Sequence, residues 1–184
     1  MTTSSATTLP TTGTWTIDPS HSEVGFVAKH LVVSKVRGHF GAFSGVIEVA
    51  EPIEASTVEV SIESASISTG DADRDGHVKS PDFLDVETYP QLTFRSTGAH
   101  HRSGETWTIP GELTIRDVTR AVELTVDYLG VFTDPWGNEK AAFSASTDLD
   151  REAFGVTWNQ ALETGGVLVG RTVRIELEIQ LARA

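Results

Sequence analysis

Apolar residues recur at every second position along most of this 184-residue chain, and that period constrains its fold more than any other feature. Val58, Val60 and Ile62 alternate with Glu59, Ser61 and Glu63, and Val122, Leu124 and Val126 with Glu123, Thr125 and Asp127. Val173, Ile175, Leu177, Ile179 and Leu181 alternate with Arg174, Glu176, Glu178 and Gln180. The same rule holds for Val24, Phe26 and Ala28 near the start, and for Phe143, Ala145, Thr147 and Leu149. In a strand successive side chains point to opposite faces, so each run lays one face on a core and the other in water. Segment 30–33 departs from the rule and is apolar on both faces.

Turn signals separate the runs, among them Arg37-Gly38, Ala50-Glu51-Pro52, Arg102-Ser103-Gly104, residues 134–138 and Gly165-Gly166. The spacing predicts about eight to ten strands and almost no helix, hence an all-β sandwich or barrel. A closed eight-stranded barrel leaves room for side chains or for one small ligand. Residues 71–89 form a long insertion, in which Ser80-Pro81 is expected to start a helical turn over Phe83 and Leu84.

Charge narrows the partners. Lys and Arg number 14 against 26 Asp and Glu, a formal net charge of −12. Such a balance repels phosphate backbones and anionic lipid alike, so no nucleic-acid partner is expected. No window approaches the ~20 apolar residues of a spanning helix, and no stable membrane insertion is expected. The absence of Cys removes disulfides, thiolate catalysis, zinc–cysteine sites and iron–sulfur clusters. Residues 1–13, rich in Thr and Ser, read as a disordered leader ahead of one domain over 14–184. They have neither the basic start nor the apolar run of about 7–15 residues that a secretory signal needs, so a cytoplasmic location is expected.

Several blocks, taken in order, carry a resemblance. They include residues 15–22 (Trp-Thr-Ile-Asp-Pro-Ser-His-Ser), Lys29-His30-Leu31, Val36-Arg37-Gly38-His39-Phe40 and Phe43-Ser44-Gly45. Further on come residues 74–80, Asp82-Phe83-Leu84-Asp85, Tyr89-Pro90, residues 111–116, and Arg151 near Phe154-Gly155. This set resembles the YceI-like family from about residue 15 to 182. The resemblance implies an extended, lipocalin-like eight-stranded antiparallel barrel. It also implies a long apolar ligand inside, a polyisoprenoid, quinone-like or fatty-acyl lipid, carried or sequestered and not chemically altered. Many relatives carry a signal peptide, and none is expected here. No cofactor is expected beyond the bound lipid, and a homodimer is a candidate assembly.

Chain burial can supply affinity for such a ligand. At about 0.8 kcal/mol per buried CH₂, an isoprene unit contributes roughly 3–4 kcal/mol. Four or five units then exceed an association cost on the order of 4–15 kcal/mol. Alternation nominates Phe26, Ala28, Phe43, Ile47, Val60 and Ile62 as cavity lining, with Phe94, Trp107, Leu124, Phe143 and Ile175 on later strands. Residues 24–47 contain no Asp or Glu but hold Lys29, Lys35 and Arg37, so this stretch carries +3 and the remainder −15. Lys29, His30, Lys35, Arg37 and His39 are therefore candidate head-group contacts.

Three polar patterns imitate active sites. Residues 71–82 place acids and a Gly like the start of a calcium loop, but strand-like flanks and Lys79 at a ligand position argue for an Arg74 or Asp75 ion pair bracing the insertion. Asp18, Ser20 and His21 hold the letters of a hydrolytic triad, although near neighbours at a strand start are not expected to converge. His100-His101 is expected in a hairpin loop, and no metal site is expected. Two alternatives to a carrier stay open: an enzyme using His30 or His39 as acid/base on an apolar substrate, and a solid-cored interaction module.

Overall fold

The computed structural model describes residues 8–184, which form twelve strands and one α-helix. The first long strand comes in two lengths, β1 (Gly13–Ile17) and β2 (Glu23–His30). Asp18 interrupts it by capping a 3-10 turn at Pro19–His21, its carboxylate accepting the Ser20 N–H. β3 (Ser34–Phe40) and β4 (Phe43–Val49) make a second split strand. Next come β5 (Thr57–Glu63), the short β6 (Ile67–Ser68), α1 (Ala72–Lys79), β7 (Gln91–Ser96) and β8 (His100–Ser103). Three long strands finish the chain after β9 (Thr106–Ile115): β10 (Val118–Thr133), β11 (Glu139–Asp150) and β12 (Val169–Arg183).

Hydrogen bonding runs β1–β4–β5–β7–β9–β10–β11–β12 and returns from β12 to β1, closing an eight-stranded antiparallel barrel. β12 has two partners on that side. Its last residues pair with β1, Leu181 opposite Ile17, while its earlier length pairs with β2, Ile175 opposite Phe26. β3 and β6 continue outward from β2, so one end of the barrel flares. The resemblance implied this closed barrel, and the period-two strands build it.

The interior is packed unevenly. At one end Trp15, fully buried, joins Ile17, Val49, Tyr128, Ala141 and Leu181 in a solid cluster. The indole N–H donates to the Thr11 carbonyl at 2.9 Å and the Tyr128 hydroxyl donates to the Thr8 carbonyl, so both polar tips are satisfied. A second cluster gathers Val24, Phe40, Ile67 and Leu92 toward the flared end.

Local readings are refined in four places. The leader expected over 1–13 lies outside the described residues as far as residue 7, while Thr8 and Thr11 make the contacts just given. Helix occurs in the long insertion, but over Ala72–Lys79 and ahead of Ser80-Pro81. Asp71 caps it by accepting the Arg74 N–H, with acids in the first turn and His77 and Lys79 in the last, as the helix dipole favours. Residues 31–33, apolar on both faces, form an exposed turn between β2 and β3. His100 and His101 fall in a short paired strand, where His101 stacks edge-on against Trp107 at 5.0 Å.

Candidate ligand-binding cavity

The flared end holds a cavity of about 270 Å³ that opens to solvent through a mouth. Phe26, Ala28 and Val36 from β2 and β3 and Val173 and Ile175 from β12 form its strand-built wall. Phe40, Ile67, Leu92 and Ile115 supply a second side. The rest comes from two irregular segments: Val78, Phe83 and Leu84 from α1 and the turn after it, and Phe154, Val156, Trp158 and Leu168 from residues 151–168. Where these segments meet, three rings pack together. The His77 ring centroid lies 4.6 Å from Trp158 and 5.0 Å from Phe83, both edge-on. His77 Nε2 also stands 2.8 Å from an Asp82 carboxylate oxygen.

Few polar groups touch the cavity, and most are already engaged. Arg151, 6% exposed, donates from Nε to the Gly170 carbonyl (2.8 Å) and from one terminal nitrogen to those of Val156 (2.8 Å) and Trp158 (3.0 Å). Its other terminal nitrogen reaches the Val169 carbonyl at 3.3 Å. The local chain makes this possible: Asp150 caps the 3-10 turn Arg151–Phe154, which ends at Gly155 with φ 78°, turning Arg151 and Phe154 inward together. Burial lowers the Arg151 pKa, opposed by Glu152 and Asp150, yet a guanidinium keeps its charge. On the insertion side, Thr69 donates its N–H and hydroxyl to Asp75 and accepts from Arg74 Nε at 2.7 Å. Those hydrogen bonds from Thr69 hold the Asp75 carboxyl below its ordinary range. The insertion is thus braced through Thr69, in place of the expected ion pair.

The structure separates the nominated lining residues by depth. Phe26, Ala28 and Ile175 stand on the cavity wall. Phe43, Ile47, Val60 and Phe143 pack against the solid Trp15 cluster, and Ile62 and again Phe43 against the Val24 cluster. Phe94 is buried against Gly111, while Trp107 and Leu124 are half-buried away from the cavity. Among the head-group candidates, His30 faces the cavity and Lys29 borders it at the rim, but Lys29, directly opposite Lys35 on the ladder, shares the outward face with Lys35, Arg37 and His39. Arg37 pairs there with Glu176 at 3.2 Å. His30 and His39 therefore lie on opposite faces. Arg151 entered the reading only through the resemblance, and its capping Asp150 was the local signal for it. The contributions of residues 151–168 have no periodicity that could have marked them.

The triad letters do converge, contrary to expectation. Ser20 Oγ donates to Asp18 Oδ1 at 2.6 Å, and His21 Nδ1 stands 3.0 Å from both Ser20 Oγ and Asp18 Oδ2. The arrangement serves the cap: the hydroxyl is spent on the carboxylate, and one imidazole nitrogen faces both partners. Hydrogen bonds from Ser20 and His21, with Lys140 at 3.0 Å, hold the Asp18 carboxyl far below its ordinary range. Within the calcium-like stretch 71–82, residues 71–79 are the cap and body of α1. Among the described residues no group of three potential metal-ligating side chains is found, and no helix is long and apolar enough to cross a membrane.

Comparison with known proteins is consistent across sequence and fold. A family profile described as YceI-like domain matches residues 15–181. A UPF0312 protein of Staphylococcus aureus is 33% identical over 171 residues, covering 91% of this chain and 96% of its own length. The crystal structure of Burkholderia cenocepacia BcnA superposes with a TM-score of 0.76 at 25% identity, over 89% of this chain and 98% of that one. A polyisoprenoid-binding domain from Saccharophagus degradans, implicated in plant cell wall breakdown, shares the fold with a TM-score of 0.71 at 13% identity, covering 92% and 98%.

Proposed function

The chain belongs to the YceI-like family, and from that premise we propose that it binds an apolar, isoprenoid-like lipid in the hollow end of its barrel and carries or sequesters it unaltered. The observation that carries this reading is the 270 Å³ cavity, walled by aliphatic and aromatic side chains at the end of the barrel away from the solid Trp15 cluster. It sits just below the ~300–1,000 Å³ of small-molecule sites. At about 30 Å³ per water-sized group it holds roughly nine such groups, or about two isoprene units. A longer chain extends through the mouth. The polyisoprenoid-binding relative supports the choice of ligand class.

A binding role is favoured over a catalytic one by the distribution of polar groups. The Asp18, Ser20 and His21 cluster lies outside the cavity, and among the described residues the His30 side chain, on its wall, has no hydrogen-bonded partner to activate it. The reading needs no cofactor. A solid core describes the Trp15 end alone.

Natively purified protein, extracted with organic solvent and examined by mass spectrometry, is expected to release near-stoichiometric prenyl or acyl lipid. Delipidated protein is expected to rebind a prenyl alcohol saturably. Recovery of no lipid, together with no binding of geraniol or a longer prenyl alcohol, overturns the proposal.

A further inference from the structure

The turn between β2 and β3 accumulates three local costs. Leu31, Val32 and Val33 are 44%, 66% and 86% exposed. Leu31 and Val32 hold left-handed backbone, with φ 53° and 67°, a conformation that β-branched residues strongly avoid. Lys29 and Lys35 stand directly opposite each other on the ladder, a destabilising like-charge pair. Among the described residues neither lysine is in an ion pair, whereas the nearby Arg37, Arg171 and Arg174 each have a carboxylate partner.

This tip adjoins the cavity rim. The Leu31 N–H donates to the Leu168 carbonyl at 2.9 Å and Gly166 lies beside the Val32 side chain, so the turn that holds Val167, 45% exposed, adjoins the tip. Lys29, His30 and Leu168 all line the cavity. We propose that the 31–33 tip docks the barrel, cavity rim first, on the surface of an anionic lipid bilayer.

One partner answers all three costs. Aliphatic side chains at the tip gain burial at the level where headgroups meet acyl chains, and lipid phosphates between Lys29 and Lys35 relieve their repulsion. An ordered surface contact also gives a reason for the strained turn to persist. Charge then selects the approach: the acid-free stretch 24–47 carries +3 against −15 elsewhere, so this edge is attracted while the rest of the chain is on balance repelled. The other exposed apolar cluster, Leu129, Phe132 and Trp136, sits on the β10–β11 hairpin beside Asp134 and Glu139 and has the wrong charge. A two-fold contact between copies through the tip would bring the same lysines together, which argues against a second copy as occupant.

Docking needs no occupied cavity, so this inference and the cargo reading fail separately. Flotation with phosphatidylglycerol-rich vesicles and with pure phosphatidylcholine vesicles tests it. The protein is expected to float with the anionic vesicles, more weakly with the neutral ones, and to be released by salt. Val33→Asp is expected to lower partitioning by at least about tenfold with the fold and the extracted lipid unchanged. Lys29→Gln/Lys35→Gln, which removes a repulsion and so leaves the fold intact, is expected to reduce anionic binding to the neutral level. Absence of flotation by the unsubstituted protein, or flotation unaltered in both variants, overturns the proposal. So does a dimer that Val33→Asp converts to monomer without any vesicle binding.

Discussion

Phe26 lies over Gly38, a residue opposite it on the β2–β3 ladder, so closely that a Cβ on Gly38 would stand 2.7 Å from the ring Cε1. The missing side chain makes a bay in which the ring lies against the wall and not across the cavity. Its neighbour Phe40, at 5.9 Å, closes the other side of that bay.

Gly38→Ala is therefore expected to push the Phe26 ring into the cavity and lower lipid occupancy, at a stability cost of about 1–3 kcal/mol. Lipid extraction and urea unfolding measure the two effects. Undiminished lipid would mean that the ring finds room elsewhere.

Arg151 presents a different sensitivity, because its guanidinium fans onto carbonyls of residues 156, 158, 169 and 170. Arg151→Met strips the donor from the carbonyls of residues 156, 158 and 170, that of Val169 keeping Asn159 Nδ2 at 2.7 Å, and is expected to cost about 3 kcal/mol. Arg151→Lys cannot reproduce the fan and rescues only part of the loss. Hydrogen exchange should quicken first in residues 156–170, and a uniform loss of protection instead would contradict the local role.

Tyr128 predicts behaviour in alkali. Burial, helped by Glu105 and Glu139, pushes its pKa up to about 12. The fold holds the neutral phenol, so its contribution is complete below the unfolded value near 10 and is lost as pH rises from there toward 12. Ultraviolet titration is expected to show a late phenol ionisation, and Tyr128→Phe to remove that late step together with on the order of 2 kcal/mol of alkaline sensitivity.

Asp18 gives the opposite dependence. Its folded pKa lies below the unfolded one, chiefly through hydrogen bonds from Ser20 and His21. The stabilisation is complete above the ordinary carboxylate range and fades as pH falls below about 4. Asp18→Asn is expected to flatten the acid limb of the stability curve, as urea midpoints across that range would register. An unchanged limb would assign acid lability to other carboxylates.

Alternation made the strands legible because parity decides which face a side chain joins, and Phe26, Ala28 and Ile175 point inward as their parity requires. Parity carries no information on depth. Phe43, Ile47, Val60 and Phe143 share the inward face yet meet Trp15, a pairing that depends on barrel closure through β1 and β12. Trp158, Phe83 and Val78 were illegible for another reason: they reach the cavity from irregular loops and a two-turn helix too short to show a period, placed by contacts distant in sequence. The calcium-like spacing of residues 71–76 was a real signal, that of a capped helix start.

β12 is bonded to β11 over most of its length, but on its other edge changes partner from β2 to β1. It acts as a spine shared by two compartments with different tasks. Slackening along β2 at the hollow compartment leaves the β1 seam, locked over Trp15, undisturbed. For the ligand proposed above, local opening along β2 offers a route of exchange that leaves the rest of the fold in place.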